Sequence, residues 1–390
     1  MVFEPLPKAG WVSRLRSPEG WDMKKFKQKV NVLCHAQAYQ TSMREIFPDG
    51  FPELDYLGWI GSMQFPLELR QEIVDVQGYN CTADNVLLTH GTALSNFMVI
   101  VQSLRPGDEA IRTTPTWFQF KDVLAAMGIN AKVIQRKEED GWHFDIEDLK
   151  EAITPKTKIF MTESINNPTG ATLSNDEMKA ICEICEDHNV RYLSDEIYRG
   201  LEYGGPAFSS PSAVNLSDTA ISTASLSKTI ALDGVQVGWM ATHDKEFMDK
   251  CYQLERQIIL HVSTPGVLIA TAALEKKRFS SLIEGKRKIG RENWKVASDW
   301  IKNSDVFSGV VPPESAFLSM PKYNLNISAK EFSEKLFDPP YKTVVEPGPE
   351  HEYHLRLGVG YGKSDEIKRG LEQVDRFVAD LKKKGVKPLK

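Results

Sequence analysis

Four short segments carry residue types that could do chemistry. The first is Thr89-His90-Gly91-Thr92-Ala93. A glycine at a strand-to-helix turn lets backbone N–H groups approach an anion at the helix N-terminus. The second is Asn166-Asn167-Pro168-Thr169-Gly170, which in isolation reads as a tight turn. The third is Ser194-Asp195-Glu196-Ile197-Tyr198, where a predicted strand ends in a carboxylate. A buried aspartate is costly unless a cation meets it. The fourth is Ser225-Leu226-Ser227-Lys228. Its lysine reads two ways, as an ordinary surface lysine or as an amine that condenses with a carbonyl cofactor.

Taken together, the four segments fit a pyridoxal phosphate site. Such a site needs a lysine for the imine, a cradle of N–H groups for the phosphate, and a carboxylate facing the pyridine nitrogen. The chain supplies all three, with Asp195 standing 33 residues before Lys228. A protonated ring nitrogen opposite Asp195 acts as an electron sink for a carbanion formed at a substrate α-carbon.

The elements that must position these residues alternate. Strands are expected at Val86–Leu88, Ala110–Arg112, Ala131–Ile134, Lys158–Met161, Tyr192–Leu193 and Ala220–Ser222. Helical patterns fall between them, over Ala93–Leu104, Phe118–Met127, a stretch capped by Asp145, and one capped by Asn175 that runs to His188. This alternation predicts an α/β fold with a mainly parallel sheet covered on both faces. Ligands collect at the carboxyl ends of the strands in such sheets, where the four segments fall. After Trp239 long helical patterns dominate, and a strand-and-helix block follows from about Val310 to Leu381.

The sequence resembles the class I/II aminotransferases, the fold-type-I pyridoxal-phosphate enzymes, over roughly Tyr56 to Phe377. Asn-Asn-Pro-Thr-Gly at 166–170, Ser-Asp-Glu-Ile-Tyr at 194–198, Ser-Leu-Ser-Lys at 225–228 and His-Leu-Arg-Leu at 354–357 carry the likeness. The resemblance implies roles for these residues. Lys228 would form the imine and shuttle the proton at the α-carbon. Asp195 would pair with the pyridinium nitrogen, and Tyr198 and Asn167 would hydrogen-bond the phenolic oxygen. Gly91, Thr92 and Ser225 would bind the phosphate, and Trp117 would stack on the ring unless it is a core aromatic. Arg356 would hold the substrate α-carboxylate, a task suited to a bidentate guanidinium. Tyr56 resembles the tyrosine that this family sends across a dimer interface to the partner's phosphate. The resemblance also implies a homodimer, a large cofactor-binding domain over residues 47–290, and a small domain built from 1–46 and 291–390.

Two departures stand out. Gln236 occupies the eighth position after Lys228, where the family usually has a phosphate-binding arginine. The loss of one charge-assisted bond, typically about 1.5–3 kcal/mol, leaves two readings: a weaker hold on the cofactor, or another cation in its place. The link from Pro347-Gly348 to Arg356 is also short. With Ile60-Gly61-Ser62 and His354–Arg356, it resembles a branch of capreomycidine-synthase-like enzymes, which eliminate and cyclise. The expected activity is therefore transamination of an amino acid. A lyase, cyclase or oxygen-using oxidase on the same cofactor is the alternative, because the shared motifs do not encode where the carbanion's electrons go.

Composition sets the remaining bounds. The chain has 390 residues, 41% hydrophobic and 26% charged, with a net charge of −5. This argues against disorder and against a nucleic-acid binder. Five scattered cysteines do not form a disulfide framework, and no long apolar run suggests a membrane span. A cytoplasmic enzyme is expected. Cys182, Cys185 and His188 lie on one predicted helix and read as core, so no metal is expected. His90, bordering Gly91, and His261 are within possible reach of the cofactor region.

Overall fold

The computed structural model describes residues 30–51 and 67–389. Tyr56 and the segment Ile60-Gly61-Ser62 lie outside the described residues. The chain divides into two compact units. Of the described residues, the larger holds 40–51, 67–166 and Ala171–Arg287, and the smaller holds 30–39, Asn167–Gly170 and 288–389.

These boundaries differ from 46/47 and 290/291, for local reasons. Thr41 Oγ1 donates to the Ile230 carbonyl at 2.6 Å, and Lys286 Nζ donates to the Gln40 carbonyl at 3.3 Å. Both bonds tie residues after Tyr39 into the larger unit. The Gly170 carbonyl accepts the N–H groups of Glu314 and Ser315, both at 3.1 Å, which ties the turn at 167–170 to the smaller one.

The larger unit is built on a seven-stranded sheet. Its strands are β1 (Val86–Thr89), β2 (Glu109–Thr114), β3 (Asn130–Gln135), β4 (Thr157–Glu163), β5 (Arg191–Asp195), β6 (Ile221–Ser225) and β7 (Gly238–Ala241). The order is β1-β7-β6-β5-β4-β2-β3. Neighbours pair in parallel except β7, which runs antiparallel to both β1 and β6. Strand β7 was not expected from the sequence. Its Gly-Trp-Met-Ala run is short, wholly apolar and without alternation, so it carries no strand period.

Elsewhere the period of two sends neighbouring residues to opposite faces. Ile159, Met161, Leu193 and Ala110 pack with helices α2 (Gly91–Ser103), α3 (Phe118–Met127) and α7 (Lys245–Ile258). Phe160, Tyr192 and Ile111 pack with α4 (Ile146–Ala152) and α5 (Asn175–Asp187) on the other face. A third cluster joins β1, β6 and β7 to α1 (Leu67–Gln77) and α8 (Thr264–Leu274). Asp145 caps α4 as expected, but the cap of α5 is Ser174, not Asn175. Ser174 and Glu177 form a reciprocal capping box there. Cys182 and Cys185 are buried in the α5 cluster, and the His188 ring bonds the Ile184 carbonyl at 2.9 Å.

In the smaller unit Asn31–Val32 pairs in parallel with Thr343–Val344. A three-stranded antiparallel sheet places β10 (Leu355–Gly358) between β8 (Leu318–Ser319) and β9 (Glu346–Pro347). Helices Ala329–Phe337 and Ser364–Lys383 belong to the same unit. No helix among the described residues is long and apolar enough to cross a membrane.

Candidate active site

In the larger unit, β1, β2, β4, β5 and β6 end along one edge of the sheet, and the candidate residues follow those ends. The register pairs Thr89 with Gly238 and Gly238 with Ser225, setting the β1 turn close to the β6 turn. A Cβ on Gly238 would stand 2.6 Å from the Gly91 backbone, so only glycine lets β7 pass. Gly91 opens α2 with φ 77°. Behind it the buried Thr92 Oγ1 has no hydrogen-bond partner among the described residues. A hydroxyl left unpaired inside a protein is costly, and at a helix N-terminus an anion is its natural partner. Ser225 caps the short helix α6 (Leu226–Thr229), accepting the Ser227 N–H at 3.3 Å, and Lys228 lies half-buried in that helix.

Gln236 sits next to this turn in the left-handed region, φ 55°. Its amide nitrogen donates to the Asp233 carbonyl at 2.6 Å. Its amide oxygen lies 3.3 Å from where a Cβ on Gly91 would be. His90 is half-buried. Burial holds its pKa below the usual histidine value, against a hydrogen bond to the His261 backbone that raises it.

Asp195 ends β5 and is buried. Among the described residues its carboxylate accepts only neutral donors, Asn96 Nδ2 at 2.8 Å and the Ile197 N–H at 3.1 Å. Asn96 in turn accepts the Thr223 hydroxyl at 2.7 Å. Desolvation is the main cause that raises the Asp195 pKa to about 7, aided by Glu163, while Asn96 works against it. Asn96 was missed at the sequence level. Its one signal is its place a helical turn after Thr92, on the face of α2 that carries the anion turn.

Glu163 was also missed. It lies across from Asp195 in the β4–β5 register. Its carboxylate takes the Thr116 hydroxyl at 2.7 and 2.6 Å, the Trp117 N–H at 2.8 Å and Asn166 Nδ2 at 3.1 Å. It therefore fixes the backbone that presents Trp117, whose ring centroid stands 3.9 Å from that of Phe118. Tyr198 is buried in the turn after β5.

In the smaller unit, Arg356 lies in β10 and is almost fully buried. Its guanidinium donates to Asn167 Oδ1 at 3.2 Å and to the Cys34 carbonyl at 3.1 Å, and it forms an ion pair with Glu346. Asn167 and Arg356 are thus brought together within this unit.

The family model for aminotransferase class I and II matches residues 57–374. The chain belongs to that family. Arginine–pyruvate transaminase AruH of Pseudomonas aeruginosa is 25% identical over 321 residues, 80% of each chain. A probable N-acetyl-LL-diaminopimelate aminotransferase of Bacillus subtilis is 28% identical over 332 residues, 82% of this chain and 80% of that one. The solved structure of a PLP-dependent aminotransferase from Streptococcus suis matches with a TM-score of 0.83 at 25% identity, covering 96% of this chain and 98% of that one.

The protein is accordingly an aminotransferase-family enzyme whose cofactor is pyridoxal 5'-phosphate, with an amino acid as substrate. The residues present fit that cofactor. The unpaired Thr92 hydroxyl and the Gly91–Gly238 approach suit a phosphate, and Asp195, buried among neutral donors, suits a ring cation. Among the described residues no cluster of three or more His, Cys, Asp or Glu could hold a metal ion.

Proposed function

We propose that the enzyme exchanges the amino group of an amino acid with a keto acid, with Lys228, Asp195 and Arg356 carrying the three essential tasks. The observation that carries this reading is Asp195. It is a buried carboxylate at a strand end, held in place by Asn96 and Ile197 yet given no cation by the described chain. A positively charged ring nitrogen completes it, and the bound cofactor supplies the electron sink that makes an amino acid's α-proton removable. Gly91, Thr92 and Ser225 would bind the phosphate, with Gln236 giving an amide beside Gly91 instead of a charge. Trp117 would cover one ring face, held by Glu163. Tyr198 and Asn167 would donate to the cofactor's phenolic oxygen. Lys228 would hold the cofactor and move the proton at the α-carbon, as a general base must when placed within reach. Arg356, already oriented by Asn167 and the Cys34 carbonyl, would anchor the substrate carboxylate.

A homodimer in the cytoplasm completes the reading, with Tyr56 reaching the partner's phosphate. All five cysteines are free, four of them buried, which fits a reducing compartment.

The test uses pooled ¹⁵N-labelled amino acids with and without a keto acid, products being identified by mass spectrometry. Transfer of the label to a new amino acid is the expected result. Release of ammonia or a cyclised product with no transfer would reject transamination. A Lys228→Ala protein should also lose the visible absorption of bound cofactor.

A further inference from the structure

The pairing of Arg356 is unexpected for a residue reserved for a substrate. Glu346 stands directly across from it in the β9–β10 register, so the two side chains share one face of a hairpin. Their ion pair is partly shielded, with side-chain exposures of 27% for Glu346 and 8% for Arg356. Three of the five N–H donors of Arg356 are committed, one on Nη1 to Asn167 and both on Nη2, to the Cys34 carbonyl and to Glu346. Nε is buried and has no partner among the described residues. A carboxylate arriving at the two terminal nitrogens must therefore take the place of Glu346 on Nη2.

We propose that Glu346 is a specificity-determining residue, a resident carboxylate that exchanges with the substrate's α-carboxylate on Arg356 and selects against substrates carrying a second acid group. This inference rests on Arg356 being the substrate anchor. The pair is neutral as a unit, so it offers no net positive field to an arriving dianion. When the α-carboxylate displaces it, Glu346 stays tethered on the same hairpin and repels a further anion nearby. An ammonium or guanidinium on the substrate is instead attracted. Neutral and cationic amino acids are favoured over dicarboxylic ones by a charge that disfavours the wrong partner.

The probes are glutarate and 5-aminopentanoate, two carboxylates of equal length that differ in the charge at the far end. Their dissociation constants are measured by calorimetry on the holoenzyme. Wild type is expected to prefer 5-aminopentanoate. Glu346→Gln should bind glutarate about tenfold tighter, gain less for 5-aminopentanoate, and so narrow the preference. Glu346→Asp, which keeps the charge, should retain the wild-type preference. An unchanged or weakened glutarate affinity in Glu346→Gln overturns the proposal, provided that Arg356→Lys weakens both probes. Unchanged binding in Arg356→Lys overturns the anchor reading itself.

Discussion

Asp195 in the larger unit and Arg356 in the smaller are both buried, yet they stand in opposite electrostatic conditions. Asp195 has hydrogen bonds without a counter-charge, and burial lifts its pKa to about 7. Arg356 has its counter-charge already, in Glu346. A group that must hold a resident cofactor gains from waiting unpaired, since the ligand then relieves a cost built into the fold. A group that must take up and release substrate on every turnover gains from a partner that keeps its charge satisfied between turnovers. On the proposed roles of the two residues, the contrast separates a site made for retention from one made for exchange.

The sharpest way to break the contrast is to remove the waiting charge. Asp195→Asn keeps the shape and the bond from Ile197 but leaves the ring cation unpaired. Loss of one partner from a buried charged pair costs about 3–4 kcal/mol, on the order of 10²- to 10³-fold in affinity. Cofactor titration by absorbance and turnover at saturating cofactor should both fall by that order. An effect below about fivefold would mean that Asp195 is a structural carboxylate.

The same charge predicts how the cofactor-free protein responds to pH. A carboxyl whose folded pKa is raised contributes stability that is fully present below its unfolded value near 4 and is lost as pH rises through about 7. The Asp195 contribution to that loss is about 4 kcal/mol. Thermal melts of cofactor-free protein from pH 4.5 to 8 should decline, and Asp195→Asn should flatten the decline. Adding cofactor should restore stability most at the high end, where Asp195 is ionised and meets a cation.

Asn96 gives a smaller and more local test. Asn96→Ala takes a donor from Asp195 and an acceptor from Thr223. Two buried groups left unpaired cost about 1–3 kcal/mol, read in denaturant unfolding. The Asp195 pKa should rise further, moving the pH decline of the melts to higher pH. A stability change with no movement of that profile would limit Asn96 to packing.

What the sequence made legible follows from where the information is stored. Gly91, Asp195, Ser225 and Lys228 sit in contiguous motifs just past strands, and a strand end with its loop is a local pattern. Asn96, Glu163 and Glu346 act through geometry that no local pattern holds. Asn96 reaches Asp195 from a helix 99 residues earlier in the chain. Glu163 meets Asp195 only through parallel strand register, and Glu346 meets Arg356 only through a hairpin. The parallel core strands were readable from their β-branched and apolar runs. Strand β7 was not, because its short apolar run carries no strand period and its antiparallel direction comes only from pairing on both sides.

Glu255 asks whether unpaired burial by itself marks the retention site. It lies on α7 at 1% exposure, neither carboxylate oxygen has a hydrogen-bond partner among the described residues, and desolvation raises its pKa to about 8. Its pKa is raised in the same direction as that of Asp195 and by the same main cause. It differs in having no donor to aim its carboxylate, whereas Asn96 and Ile197 hold Asp195 in one orientation. If aimed donors are what make a buried charge functional, Glu255→Met should leave cofactor affinity within about twofold of wild type while removing a cost. Stability lost by wild type as pH rises through about 8 should be retained by the variant, on the order of 5 kcal/mol at pH 9 and under about 1 kcal/mol at pH 5. Denaturant unfolding at the two pH values reads the difference. A loss of cofactor affinity in Glu255→Met would place this helix in the retention site and dissolve the distinction drawn from Asp195.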